Sequence, residues 1–217
     1  MKIVQCWDDG VSSDIRLVAL LRKYNARASF NLNAGLHPAE RTEGWVHCGN
    51  RVCRLALGEL RSVYEGFTIA NHTVSHPRLE TLSGTEARRE VREGRERLQD
   101  LFQQPVSGFA YPYGSYNEIA MAAVREAGHR YARTIRNVDH SFPPDDPMTL
   151  HPNCHFLAPN FWERYERARS GGIFYFWGHS FELIDEAMWS AFDATLARIA
   201  ADPGAEWAEL SELFPSA

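Results

Sequence analysis

A chain of 217 residues that is 44% hydrophobic and 24% charged can bury one substantial core, so a single globular domain spanning 1–217 is expected. The formal net charge of -5, with no Lys/Arg stripe interleaved with aromatics, argues against a nucleic-acid partner. No apolar run approaches the roughly 20 residues that span a bilayer and no basic-then-apolar leader opens the chain, so no membrane association and a cytoplasmic location are expected.

The first element is an apolar run, Lys2 to Trp7, that ends in Asp8-Asp9-Gly10 and reads as a strand delivering two carboxylates to the turn at its end. Ser12, Ser13 and Asp14 offer N-caps for a helix to about Tyr24, with Ile15, Leu17, Val18, Leu20 and Leu21 at helical spacing. Arg27 to Asn33 alternates as a strand, and residues 34–54 read as a long irregular loop. Leu57 to Tyr64 is a short helix, and the strand Phe67 to Asn71 then releases His72. Ser83 with Glu86 forms a capping box for a helix to about Phe102. Its mixed charges between Glu86 and Arg97 suit a solvated face.

Pro105 to Tyr111 is the next strand, ending at Tyr111-Pro112-Tyr113-Gly114, and Asn117 caps a helix stopped by Gly128. His129 to Ile135 is a strand, Thr149 to Leu157 is extended, and Phe161 to Arg169 is helical. Ile173 to Trp177 is apolar without alternation, as in a strand buried on both faces, and it releases His179 before a closing helix from Asp185 to Ala201. Repetition of strand, polar loop and helix predicts an α/β fold whose six or seven parallel strands close or nearly close into a barrel. Strand ends converge in such a barrel, which gathers Asp8, Asp9, Asn33, His72, Tyr113, Arg133 and His179 on one face. Cys6, Cys48, Cys53 and Cys154 are scattered and read as reduced thiols.

Adjacent carboxylates raise one another's pKa unless a cation neutralises them, and a divalent metal with histidine co-ligands is one such cation. His72 and His76 offer that pair, but an extended chain would hold them ~13 Å apart, so joint ligation requires a turn. Each stretch also has a plainer reading, because Asp-Gly is common turn chemistry and loop histidines need no metal. His151 and His155 share the spacing but lie in the extended stretch, so they are assigned to structural or rim positions. Asn31 and Asn33 either bind substrate or satisfy backbone groups. Trp45, Tyr116, Phe156, Trp162 and Phe181 are aromatic enough to stack on sugar rings, yet most aromatics belong to cores.

Taken together, Trp7-Asp8-Asp9-Gly10, His72-Thr73-Val74-Ser75-His76-Pro77 and Tyr111-Pro112-Tyr113-Gly114 resemble, in order, the motifs of the polysaccharide deacetylase family, carbohydrate esterase family 4. The resemblance covers residues 1 to about 180. It implies a distorted (β/α) barrel and one divalent metal held by Asp9, His72 and His76, zinc first, with cobalt, nickel or manganese also suited. It further implies Asp8 as general base, His179 as general acid and the Tyr113 backbone N–H at the oxyanion. The substrate implied is an acetylated amino sugar, with Asn33 as an additional candidate contact. Two departures stand out. Ala110 occupies the place of the family's motif arginine, with Arg133 as the candidate substitute, and the aspartate that would tune the acid has only Asp139 as a candidate. The alternatives are hydrolysis of another acylamide, such as a formyl sugar or small cyclic amide, and a silent barrel that binds carbohydrate. The sequence leaves oligomeric state open.

Overall fold

The computed structural model describes residues 1–42, 44–140 and 142–214. The strands are β1 (Lys2–Asp8), β2 (Ser29–Leu32), β3 (Trp45–His47), β4 (Asn50–Val52), β5 (Thr68–Asn71), β6 (Gly108–Ala110), β7 (Tyr131–Arg133), β8 (Cys154–His155), β9 (Ile173–Gly178) and β10 (Glu206–Trp207). The α-helices are α1 (Asp14–Lys23), α2 (Leu60–Val63), α3 (Gly84–Phe102), α4 (Glu118–Glu126), α5 (Phe161–Ala168), α6 (Glu186–Ala200) and α7 (Leu210–Leu213). Apart from the β3–β4 hairpin, the strands form one parallel sheet, seven of them in the order β7-β6-β5-β2-β1-β9-β8 and β10 beside β1. The sheet curls into a distorted (β/α) barrel of about seven strands. At its seam the stretch from Leu150 to His155 bridges β7 at Arg133 and pairs with β9 through Cys154 and His155.

The period-2 rule places β1. Ile3 and Trp7 point outward into the core beneath the helices, whereas Val4 and Cys6 point inward with Tyr131, Leu150 and Tyr175. Asp8 is the next inward position, which puts its carboxylate in the barrel mouth. Inward-facing residues of β6 are small because those of β7 are large: Gly108 lies beside Tyr131, Ala110 beside Arg133, and a Cβ on Gly108 would meet the Tyr131 hydroxyl at 2.3 Å.

Helix termini follow local chemistry. The Ser83 side chain accepts from the Glu86 N–H while Glu86 returns a bond to the Ser83 N–H, and Asn117 and Asp185 cap α4 and α6. Ile15, expected in the apolar stripe of α1, is exposed; the buried face carries Leu17, Val18 and Leu21.

Three local expectations are corrected. The 34–54 loop contains the β3–β4 hairpin, turned at Cys48-Gly49 with φ values of 46° and 84°. Positive φ at both central residues is the geometry that favours tight hairpins, but Cys-Gly lacks the usual Asn-Gly signature. The strands expected over 27–33, 105–111 and 129–135 are shorter, because lateral pairing lasts only over the residues the curled sheet keeps in register. Finally, β10 takes the edge of β1 that β2 leaves free at Lys2 and Ile3, and Ala208 and Leu210 join the inward cluster at the end remote from Asp8. Among the described residues no helix is long and apolar enough to cross a membrane.

Candidate active site

Asp8 is 2% exposed and bound on both oxygens: Asn31 Nδ2 donates to Oδ1 at 2.6 Å, and the guanidinium of Arg133 donates to Oδ2. Burial by itself would raise the Asp8 pKa, but Arg133, His72 and His179 outweigh it and hold the carboxyl well below the usual carboxylate range. Arg133 is equally buried and stacks over Trp177 with its guanidinium carbon 4.7 Å from the ring centroid. It reaches Asp8 from 125 residues away in the chain.

Asp9 and Gly10 both have positive φ, at 83° and 67°, so the chain turns sharply away from the barrel. Only glycine suits the second position, since a Cβ there would lie 2.5 Å from the His37 ring. Arg54, immediately after β4, donates to the Asp9 backbone oxygen and to Asn33 Oδ1, with its other terminal nitrogen 3.5 Å from Asp9 Oδ1.

The turn that joint ligation requires is present between His72 and His76. Thr73 and His76 adopt φ of 70° and 58°. The Asn71 side chain accepts from the Thr73 N–H, the Thr73 hydroxyl accepts from the His76 N–H, and buried Glu90 of α3 accepts from the Val74 and Ser75 N–H groups and the Ser75 hydroxyl. With four of its non-glycine residues at positive φ, counting Asp9 and Tyr113 (φ 57°), the site holds strain that the surrounding bonds over-determine.

Asp9, His72 and His76 thereby converge, one ligand atom of each lying within 4.8 Å of the others. His72 Nδ1 contacts the Ala110 carbonyl at 2.7 Å, which places the proton on Nδ1 and leaves the Nε2 lone pair facing Asp9 and His76. Both His72 Nε2 and Asp9 Oδ1 are buried without a hydrogen-bond partner. Burial pulls the His72 pKa down to about 4 and that of His76 below its ordinary value, so both rings are neutral at pH 7. A carboxylate oxygen and a neutral imidazole lone pair, both buried, preorganised and without a partner, fit a divalent cation.

His179 follows β9 with Nε2 3.8 Å from Asp8 Oδ2. Its Nδ1 and backbone N–H both meet Glu182 Oε2, at 3.2 and 3.0 Å. Burial lowers the His179 pKa, yet Glu182 and Asp8 more than offset that, and the net displacement is upward. Asp14 accepts from the Ser180 hydroxyl and from Tyr64, tying the turn after His179 to the start of α1.

Two sequence expectations fail here. Asn33 does not reach substrate space: it is 0% exposed, its amide donates to the His72 carbonyl, and its oxygen is taken by Arg54. Asp139 does not meet His179; it is exposed and paired with Arg164 and Arg167, while Glu182 occupies the place beside the ring. Arg54, Glu90 and Glu182 contribute contacts to which the sequence assigns no role. Only Glu182 carried a local signal, three residues after His179 where a first-turn carboxylate returns to the backbone. Tyr113 lies on the rim, 52% exposed. Asp8, Asp9, Arg54, His72, His76, Arg133 and His179 line, with Tyr113, a cleft of about 470 Å³, walled by Trp45, Phe181, Trp177 and Ile135. Among the candidate aromatics, Trp45 and Phe181 reach it, and Tyr116, Phe156 and Trp162 do not.

Residues 1–132 match the sequence profile of the polysaccharide deacetylase family. The Bacillus subtilis (strain 168) protein YxkH is 28% identical over 69 residues, which is 32% of this chain and 25% of that protein. In shape the chain is similar to the Streptococcus pyogenes deacetylase PplD in complex with acetate, at TM-score 0.57 and 22% identity over 67% of this chain and 61% of that one. It is also similar to a mutant of BA3943, a family 4 pseudoenzyme with restored enzymatic activity, at TM-score 0.62 and 16% identity over 99% of this chain and 67% of the other. The chain thus spans a quarter of the length of the curated relative and about three fifths of PplD. With the match covering more than half of its residues and including both the aspartate and histidine motifs, the chain belongs to the polysaccharide deacetylase family, carbohydrate esterase family 4.

Proposed function

We propose that this protein is a metal-dependent amide hydrolase that removes the acetyl group from an N-acetylated amino sugar or oligosaccharide. The observation that carries this reading is the convergence of Asp9, His72 and His76 beside a separate carboxylate and imidazole, Asp8 and His179, at one cleft. Zinc is the first candidate for the metal, and cobalt, nickel and manganese suit the same donors. When bound, the metal supplies Lewis-acid polarisation of the acyl carbonyl and a lowered pKa for water.

The chain's residues do the rest. Asp8, kept ionised by Arg133 and oriented by Asn31, takes the proton of the attacking water. Protonated His179 donates from Nε2 to the departing nitrogen, a step that needs a second group of higher pKa than Asp8. The Tyr113 backbone N–H is assigned to the acyl oxygen, a role supported by the place of Tyr113 in the cleft lining, and the aromatic walls offer flat apolar surfaces for a sugar ring.

Metal content and acetate release from N-acetylglucosamine oligomers, before and after chelation, test the reading. Bound metal with chelator-sensitive acetate release is expected. Metal without acetate would move the search to formyl or cyclic amides, and absence of metal after adding zinc or cobalt would favour a silent carbohydrate-binding barrel. Replacing Glu90 by Ala frees the turn between the two histidines and is expected to weaken metal binding by about 10- to 100-fold, the range for supporting-residue losses at metal sites. Chelator competition reads this directly, and unchanged affinity would mean that the turn holds without Glu90.

A further inference from the structure

One oxygen of Glu182 accepts three donors. His155 Nε2 lies at 2.8 Å from Oε2, the His179 backbone nitrogen at 3.0 Å and His179 Nδ1 at 3.2 Å. His155 is the last residue of β8 and Glu182 ends the short 3₁₀ turn Ser180–Glu182 after β9, so the pairing of those two strands brings the groups together. The His155 ring is placed by an edge contact with Trp177 and a tilted contact with Phe156, at centroid distances of 4.8 and 4.9 Å. His155 does not line the cleft.

His155, His179 and Glu182 also gather within 4.8 Å, as the Asp9, His72 and His76 set does, but their protons are arranged differently. The Leu157 N–H approaches His155 Nδ1 at 3.3 Å, which makes that nitrogen the acceptor and puts the ring proton on Nε2, facing Glu182. In His72 the proton points away from the converging ligands, and here it points into them. The second cluster is therefore a hydrogen-bonded chain, His155 to Glu182 to His179, with no lone pair aimed at a cation.

We propose that His155 is a positioning residue for proton delivery: by holding Glu182, it keeps His179 turned with Nδ1 on that carboxylate and Nε2 toward Asp8 and the scissile bond. This rests on the reading of His179 as the general acid. In the step, water adds to the acyl carbon and gives a proton to Asp8, the C–N bond breaks, and the Nε2 proton of His179 passes to the nitrogen. Acetic acid, which ionises on release, and the free amine leave; His179 is left neutral with its Nδ1–H still hydrogen-bonded to Glu182, and Asp8 returns its proton to solvent as His179 regains one. Asp8, Asp9 and Glu182, with His76 and His155, are the titratable groups that face His179. Among them only His155 holds Glu182 from a different strand.

The test uses two substrates on the metal-loaded enzyme: an N-acetyl amino sugar, whose nitrogen must be protonated to leave, and 4-nitrophenyl acetate, whose phenolate leaves unaided. His155→Ala is expected to lower kcat on the amide about tenfold or more, within the 100- to 10,000-fold that a positioned acid supplies, while the ester rate changes less than about twofold. KM and metal content should stay at the wild-type values, and His155→Gln, which keeps an N–H donor, should restore most of the amide rate. His179→Ala should show the same selective loss, only larger. Equal losses on both substrates, an unchanged amide-to-ester ratio, or a second metal per chain that disappears in His155→Ala would each overturn the proposal. If His155→Ala fails to fold, Glu182→Gln must show the same selective loss for the proposal to stand. Failure of the underlying reading looks different: wild type cleaves no amide, or His179→Ala keeps the wild-type ratio.

Discussion

Asp8→Asn is expected to reduce acetate release by at least about 100-fold, the lower end of what a positioned general base contributes, while the protein still binds its metal. The change is nearly isosteric, and Oδ1 of the new amide still accepts from Asn31. It loses the ability to take a proton, and it also leaves Arg133 buried without its counter-charge, so stability falls as well. The three proposed ligands are untouched, because Asp9 leaves the strand on the opposite side of the turn and the histidines come from β5. Metal analysis and thermal unfolding of the variant separate loss of chemistry from loss of structure. Retention of more than a tenth of the wild-type rate would remove Asp8 as the base.

The larger structural effect is expected at Arg133. Arg133→Met leaves the Asp8 carboxylate buried with a single donor, and removing one partner of a buried pair costs about 3–5 kcal/mol. Denaturant unfolding measures this. The double variant Asp8→Asn/Arg133→Met removes both charges and should be more stable than Arg133→Met alone, a coupling that independent sites would not give. Activity should fall with Arg133→Met as well, since an unneutralised Asp8 regains its proton more readily. Ala110 and Arg133 are side-by-side partners on neighbouring strands and share the inward face. Moving the guanidinium across, as Ala110→Arg/Arg133→Ala, should therefore recover part of the activity that Arg133→Ala loses. No recovery would mean that reach from β7, and not charge alone, is what Asp8 requires.

Much of this site was legible locally. The apolar run into Asp8-Asp9-Gly10, the two histidines beyond β5 and His179 beyond β9 all read as strand ends, because side-chain alternation and turn chemistry act over a few residues. The capping box at Ser83 was legible for the same reason. Asn33 misled because alternation tells which face a residue takes and not what already fills that face; Arg54 and the His72 carbonyl consume its amide. His151 and His155 have equal spacing to His72 and His76, yet only the latter pair has a turn locked by Glu90 from α3.

The sequence by itself determined the parallel barrel and the strand ends that carry chemistry, since both depend on short-range pattern, and its resemblance to the family supplied the acid, base and ligand candidates. Tertiary structure alone decided which cation neutralises Asp8, which carboxylate holds His179 and which polar residues are sealed from the cleft. Those outcomes depend on closure of the sheet, which sets Arg133 against Asp8 and His155 against Glu182 across 125 and 27 residues, distances at which no local periodicity carries information.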